Sequence, residues 1–154
     1  MGKIPITKNG FLNLQKTLNF LKNIKRPKII KAIKIAREHG DIKENAEYHA
    51  AKEEQYFIEN KIKKIESKIS KANIIDITKM NNNGKIIFGT TIDLININTQ
   101  DMLTYCIVGE DEANIKKNKI SIKSPIARSL ISKSIGDIIK INTQNFRIKN
   151  VKYI

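Results

Sequence analysis

Ala51, Gln55, Ile58, Ile62, Ile65, Ile69 and Ala72 follow one another at alternating steps of four and three, which is a heptad seam. A helix with one apolar stripe must bury it against something, and the matching stripe lies upstream. Phe11, Leu14, Leu18 and Leu21 keep helical spacing, and after a break the pattern resumes at Ile29 or Ile30, Ile33 and Ala36. Pro27 falls in that break and predicts a bend within one long element, because proline removes a backbone donor and crowds the carbonyl four residues earlier. Gly40 reads as a helix stop between the two stripes, so a short connection folds them into an antiparallel pair. About 30 residues per arm, at ~1.5 Å each, make a rod of roughly 45 Å with the connection at its end.

The period changes after Lys79. Met80-Asn81-Asn82-Asn83-Gly84 reads as a linker and turn, and the Ile-rich, β-branched stretches 85–97, 102–108, 119–123, 137–142 and 146–153 read as strands. Ser124 to Ser132 (SPIARSLIS) predicts one short helix with Ser124 as N-cap and Pro125 at the first helical position. The expected fold class is therefore α+β: a helical hairpin over 1–78 and a small α+β domain over 79–154.

Composition adds what the periodicity leaves open. A hydrophobic fraction of 40% is too apolar for a disordered chain. No apolar run reaches the ~20 residues of a membrane span. The opening MGKIPITKNG lacks the apolar stretch of a signal peptide and has Ile6 where a myristoylation motif requires Ser or Thr. Cys106 stands alone, so no internal disulfide framework exists and a reducing cytoplasm is the expected compartment. Its place in a strand pattern with no basic neighbour favours a buried thiol over a nucleophile.

The net charge of +14 points toward a polyanionic partner, but its distribution says more. Residues 1 to 37 carry ten Lys and Arg and no acid. Residues 38 to 59 invert this, with seven acids against two lysines, a local charge of −5. A simple binder of phosphate backbones has no use for a carboxylate cluster unless a cation intervenes. That cluster occupies the connection, HGDIKENAEYHAAK from His39 to Lys52, where Asp41 and Glu44 stand three residues apart.

Two readings of that spacing compete. In one, Asp41 is the N-cap of the second helix and Glu44 closes a capping box. In the other, two carboxylates on an exposed tip supply oxygens to a hard divalent cation such as Mg²⁺, which wants about six oxygens and so needs a partner to supply the rest. His39 and His49 flank the acids at a spacing that matches no HExxH or zinc-finger pattern, and read as surface or packing residues. Tyr48 reads as a helix-packing residue, with contact to a base or support of the loop as its functional alternative. Arg37 and Lys52 border the acids and are either phosphate contacts or solvated charges. Gly109-Glu110-Asp111-Glu112 reads as a turn between strands rather than a metal site.

AREH followed by GDIKENAEYHAAK, the segment IIDITKM from Ile74 to Met80, NNGKIIFGTT, IVGEDEAN and SPIARSLISKSIGD together resemble the Gre family of bacterial transcript cleavage factors along the whole chain. His49-Ala50-Ala51 after the tip is similar to the GreA branch rather than to GreB. The resemblance implies an antiparallel coiled coil that enters the secondary channel of RNA polymerase and an FKBP-like C-terminal domain that docks at the channel entrance. It implies that Asp41 and Glu44 help position a shared Mg²⁺ and the attacking water when the polymerase has backtracked, the polymerase itself making the cut in the nascent RNA. Arg37 and Lys52 match basic positions thought to contact the extruded RNA, Asn45 and Tyr48 support the tip, and Ser124, Pro125 and Ile126 fall in the docking domain. Ile42-Lys43 stands where Leu-Ser or Leu-Lys is common, which leaves both acids in place; inhibitory relatives with extra tip aspartates fit worse. A free monomer and no activity as an enzyme in its own right are expected. Two rivals come from other classes. A prolyl isomerase is disfavoured by an aromatic fraction of only 6%. A basic coiled-coil nucleic-acid binder predicts salt-sensitive affinity for naked DNA that is independent of Asp41 and Glu44.

Overall fold

The computed structural model describes residues 3–154. Met1 and Gly2, where the myristoylation reading and the expected hairpin unit begin, lie outside the described residues. The elements run β1 (Ile4–Thr7), α1 (Lys8–Phe20), a π-helical turn (Leu21–Lys25), α2 (Arg26–Glu38), α3 (Ala46–Lys71), β2 (Ala72–Ile75), β3 (Thr91–Asn96), β4 (Met102–Val108), β5 (Lys119–Ser121), α4 (Pro125–Leu130), β6 (Ile138–Ile141) and β7 (Gln144–Lys152). They form an α+β protein of two compact units: Phe11–Ala72, and the segment ending at Gly10 together with Asn73–Ile154. β1 pairs with β2 in a small two-stranded sheet. Ala72, taken as the last seam position, begins β2. Among the described residues no helix is long and apolar enough to cross a membrane.

The hairpin buries Leu21 and Ile29 from one arm against Ala51, Ile58, Ile62 and Ile65 from the other, with Leu14, Leu18, Ile33 and Ile69 packed around them. The break expected at Pro27 takes the form of the π-helical turn immediately before it, where the Arg26 N–H reaches back to the Leu21 carbonyl, five residues away. The physical reason lies in the spacing: Leu21 to Ile29 is eight residues, one more than a heptad, and a π turn absorbs one extra residue while the stripe stays in line. Pro27 then sits in the first turn of α2. Across the arms Arg26 forms a two-pronged pair with Glu59, Nε to Oε2 at 2.8 Å and Nη2 to Oε1 at 2.7 Å, and Lys22 meets Glu66 at 2.9 Å.

The hydrogen bonds from Arg26 hold the Glu59 carboxyl below the usual carboxylate range against an opposing desolvation, with the Arg26 and Lys63 charges adding to the lowering. A carboxylate depressed in the folded state stabilises it above its unfolded pKa of about 4.3, and that contribution disappears as pH falls through the lower folded value. Thermal unfolding of Glu59→Gln is therefore expected to fall below wild type at neutral pH and to converge with it in acid; a constant gap across the titration would contradict the pairing.

In the second unit a five-stranded sheet runs β5-β4-β3-β7-β6, antiparallel except for the parallel β4–β5 pair. β5 and β6 lie at opposite edges, so the chain crosses the sheet through α4, which buries Ala127 and Leu130 against Ile92, Leu94, Ile107, Phe146 and Ile148. The stretch expected as one strand from 85 to 97 is strand only from Thr91, because Gly89 turns the chain with φ +91°. In β7 the inward positions are Phe146, Ile148 and then Val151, the odd interval marking a bulge at which Asp93 pairs with Asn150 but Leu94 with Ile148.

The acidic run at 110–112 is a 3₁₀ turn, as read, and its last residue ties down the start of the chain. Glu112 accepts hydrogen bonds from the Thr7 N–H at 3.1 Å, the Gly109 N–H at 3.0 Å and the Thr7 hydroxyl. Glycine at position 10 leaves room for this tie, since a Cβ there would push the Glu112 carboxylate aside.

Candidate functional site

The tip is built by the end of α2 and the start of α3. α2 finishes at Glu38 with His39 as its C-cap, and Gly40 turns away with φ +124°, a conformation that side-chain-bearing residues rarely adopt. Asp41 then folds into a short turn, its Oδ1 accepting the Lys43 N–H at 3.0 Å. The expected capping arrangement differs from the observed one. Asn45, not Asp41, is the N-cap of α3: its Oδ1 accepts the Tyr48 N–H at 3.0 Å, and Glu44 precedes the cap instead of closing a box. A helix capped at Asp41 would start four residues sooner and leave only His39 and Gly40 between the cap and α2, whereas the observed cap at Asn45 allows the wider turn over 39–44.

Asn45 does a second thing that spacing does not reveal. Its Nδ2 donates to the Ala36 carbonyl at 2.6 Å, so one side chain caps the outgoing helix and satisfies a carbonyl at the end of the incoming one. Tyr48 is half-buried, and its ring meets that of His49 edge-on at 5.6 Å.

With the cap elsewhere, Asp41 and Glu44 both stand exposed and line one open concavity with His39 and Glu47. Among the described residues no group of three or more His, Cys, Asp or Glu side chains converges to hold a metal. Hard carboxylate oxygens in this number fit part of the shell of a Mg²⁺ ion and no more. Arg37 is exposed on the last turn of α2 and lines a different depression with Ile33 and Lys34. Lys52 reaches Gln55 at 3.3 Å. Neither cation lines the concavity of Asp41 and Glu44.

In the sheet unit, Ser124 caps α4 by accepting the Ala127 N–H at 3.2 Å and donates its own hydroxyl to the Ser121 carbonyl at 2.7 Å. With Pro125 at the first helical position and Ile126 half-buried, the three residues share a mainly apolar cavity of about 550 Å³ that Ile115 and Ile141 also line. Cys106 is half-buried in β4, with Sγ 3.9 Å from the Gly89 carbonyl.

Residues 4–74 match the family described as transcription elongation factor, N-terminal, and residues 81–153 match transcription elongation factor, GreA/GreB, C-term. The transcription elongation factor GreA of Haemophilus influenzae is 55% identical over an alignment that covers 100% of each chain. This chain belongs to the GreA family. The GreA factor of Pelagibacter ubique is 53% identical, again over 100% of both chains. Among solved structures, the GreA factor homolog 1 protein of Thermus thermophilus aligns over 97% of this chain and 99% of that one at 25% identity, with a TM-score of 0.45. As a GreA-family transcription elongation factor the chain stimulates transcript cleavage by RNA polymerase, and is an accessory factor rather than an enzyme.

Proposed function

We propose that the hairpin tip acts inside RNA polymerase: the two helical arms enter the secondary channel, and Asp41 and Glu44 meet the active centre of a backtracked enzyme where the transcript 3′ end is extruded. The observation that carries this reading is the pair of exposed carboxylates in one concavity, released from capping because Asn45 takes that task. Asp41 engages Oδ1 in its turn, and Oδ2 takes no part in that bond. The two acids hold one side of a Mg²⁺ shared with the polymerase. When bound, that ion orients and acidifies a water for phosphodiester hydrolysis. Arg37 and Lys52, both exposed, contact phosphates of the extruded RNA, and Asn45 and Tyr48 support the turn.

The C-terminal part, from 79 to 154, docks the factor at the channel entrance. Ser124, Pro125 and Ile126 provide the contact, supported by the apolar cavity they share with the exposed Ile115. The free protein is a monomer that works in the cytoplasm beside the polymerase. Ile126→Asp is expected to raise the factor concentration for half-maximal stimulation roughly tenfold or more while leaving maximal cleavage intact, because it buries a charge at the contact without touching the tip; an unchanged titration would remove the cavity from the interface.

The deciding experiment uses purified full-length protein. It is expected to leave free RNA intact and to trigger 3′ cleavage in halted polymerase complexes supplied with Mg²⁺. Cleavage of naked RNA, or no stimulation of halted complexes, contradicts the reading. Salt-sensitive binding to naked DNA that survives substitution of both acids would favour the plain nucleic-acid binder instead.

A further inference from the structure

Lys43 stands between the two tip acids, and its peptide groups are held on both sides. Its N–H goes to Asp41 Oδ1 at 3.0 Å, and its carbonyl lies 3.0 Å from His49 Nε2. A carbonyl oxygen only accepts, so the ring nitrogen facing it carries the proton and His49 is the donor. That carbonyl belongs to the peptide plane joining Lys43 to Glu44. Fixing it fixes the plane from which the Glu44 side chain departs.

His49 is itself well anchored. It lies in the first turn of α3, with its N–H on the Asn45 carbonyl at 3.1 Å and its ring edge-on to Tyr48 at an interplanar angle of 70°. Asn45 in turn is tied to Ala36 of α2. The otherwise irregular connection is thus braced from the end of α2 through Asn45 and His49 to the backbone between Asp41 and Glu44.

We propose that His49 is a positioning residue for transcript cleavage, gripping the Lys43 carbonyl so that Asp41 and Glu44 present their carboxylates in one arrangement. The inference rests on the assignment of those two acids made above. Two carboxylates that supply only part of an ion's shell depend on preorganisation, since any disorder between them must be removed each time the shared site assembles. Partners that orient ligands in this way typically carry about 10-fold to 100-fold in metal affinity or activity.

Full-length His49→Ala and His49→Gln decide the matter, because a Gln amide can still donate to the carbonyl. In His49→Ala the Mg²⁺ concentration for half-maximal cleavage in halted complexes is expected to rise about tenfold, with unchanged affinity for polymerase. In the free protein the Lys43 amide is expected to exchange with solvent several-fold faster by NMR, with helical content unchanged, and His49→Gln returns both readouts toward wild type. An unaltered Mg²⁺ requirement and unaltered Lys43 exchange in His49→Ala overturn the proposal. So does weaker polymerase binding at an unaltered Mg²⁺ requirement, which would make His49 a contact, or a loss of helix in both variants, which would make it purely structural. Asp41→Asn and Glu44→Gln run alongside. If those remain active, the reading of the tip fails and takes this inference with it; if they are inactive while His49→Ala matches wild type, only the role of His49 fails.

Discussion

Asp41→Asn and Glu44→Gln are each expected to lower stimulated cleavage by ~10²-fold or more while leaving polymerase binding as it was, the size typical of losing a group that positions charge or a proton in the transition state. Both changes are nearly isosteric. An Asn at 41 keeps a carbonyl oxygen to accept the Lys43 N–H, so the turn survives while the charge is lost. Glu44 is exposed and carries no capping bond, so Gln there leaves α3 capped by Asn45. The loss therefore isolates the anionic oxygens from the fold that carries them. Cleavage assays on halted complexes, paired with a binding titration, read the two quantities separately. Full activity in both variants would remove the tip from the chemistry.

Ile62→Ala is expected to cost about 2–5 kcal/mol, because it removes most of a buried side chain from a core with little means of closing the gap. Ile62 is 2% exposed at the centre of the hairpin seam. Among the described residues six buried ones make up that core, against eleven in the sheet unit, so the loss falls on the smaller reserve. Chemical denaturation followed by helical circular dichroism should show the hairpin transition moving to lower denaturant. Stimulated cleavage should fall with it as temperature rises, because a melted arm cannot present its tip. A change under about 0.5 kcal/mol, the size expected of a surface substitution, would mean that the seam does not hold the arms together.

The hairpin is legible in the sequence because its information is local and periodic: Ile58, Ile62 and Ile65 declare their face by spacing alone. The same holds for the strands around Ile92 and Ile148 and for the Ser124 cap of α4. What escapes such reading depends on partners distant along the chain. β1 is four residues including Pro5, too short to announce itself, and is held by Glu112, 105 residues away from Thr7. The cap at Asn45 is a local motif, but Asp41 followed by Glu44 offers an equally good one. The one that forms is the one whose side chain also reaches the Ala36 carbonyl of α2, and spacing along the chain does not show that contact. The bond from Asn45 to Ala36 and the grip of His49 on Lys43 are contacts to backbone carbonyls, which have no residue-type signature.

The wide turn before Pro27 has a consequence for aim. In a regular helix each residue advances the azimuth by about 100°, so one surplus residue left in an α-helical stretch would swing everything beyond it by more than a quarter revolution. By taking up that residue, Leu21–Lys25 keeps Leu21 and Ile29 on one buried stripe against α3. A shift of one position, in or out of that turn, would leave both carboxylates intact and rotate the stretch of arm that leads to them relative to its own buried stripe.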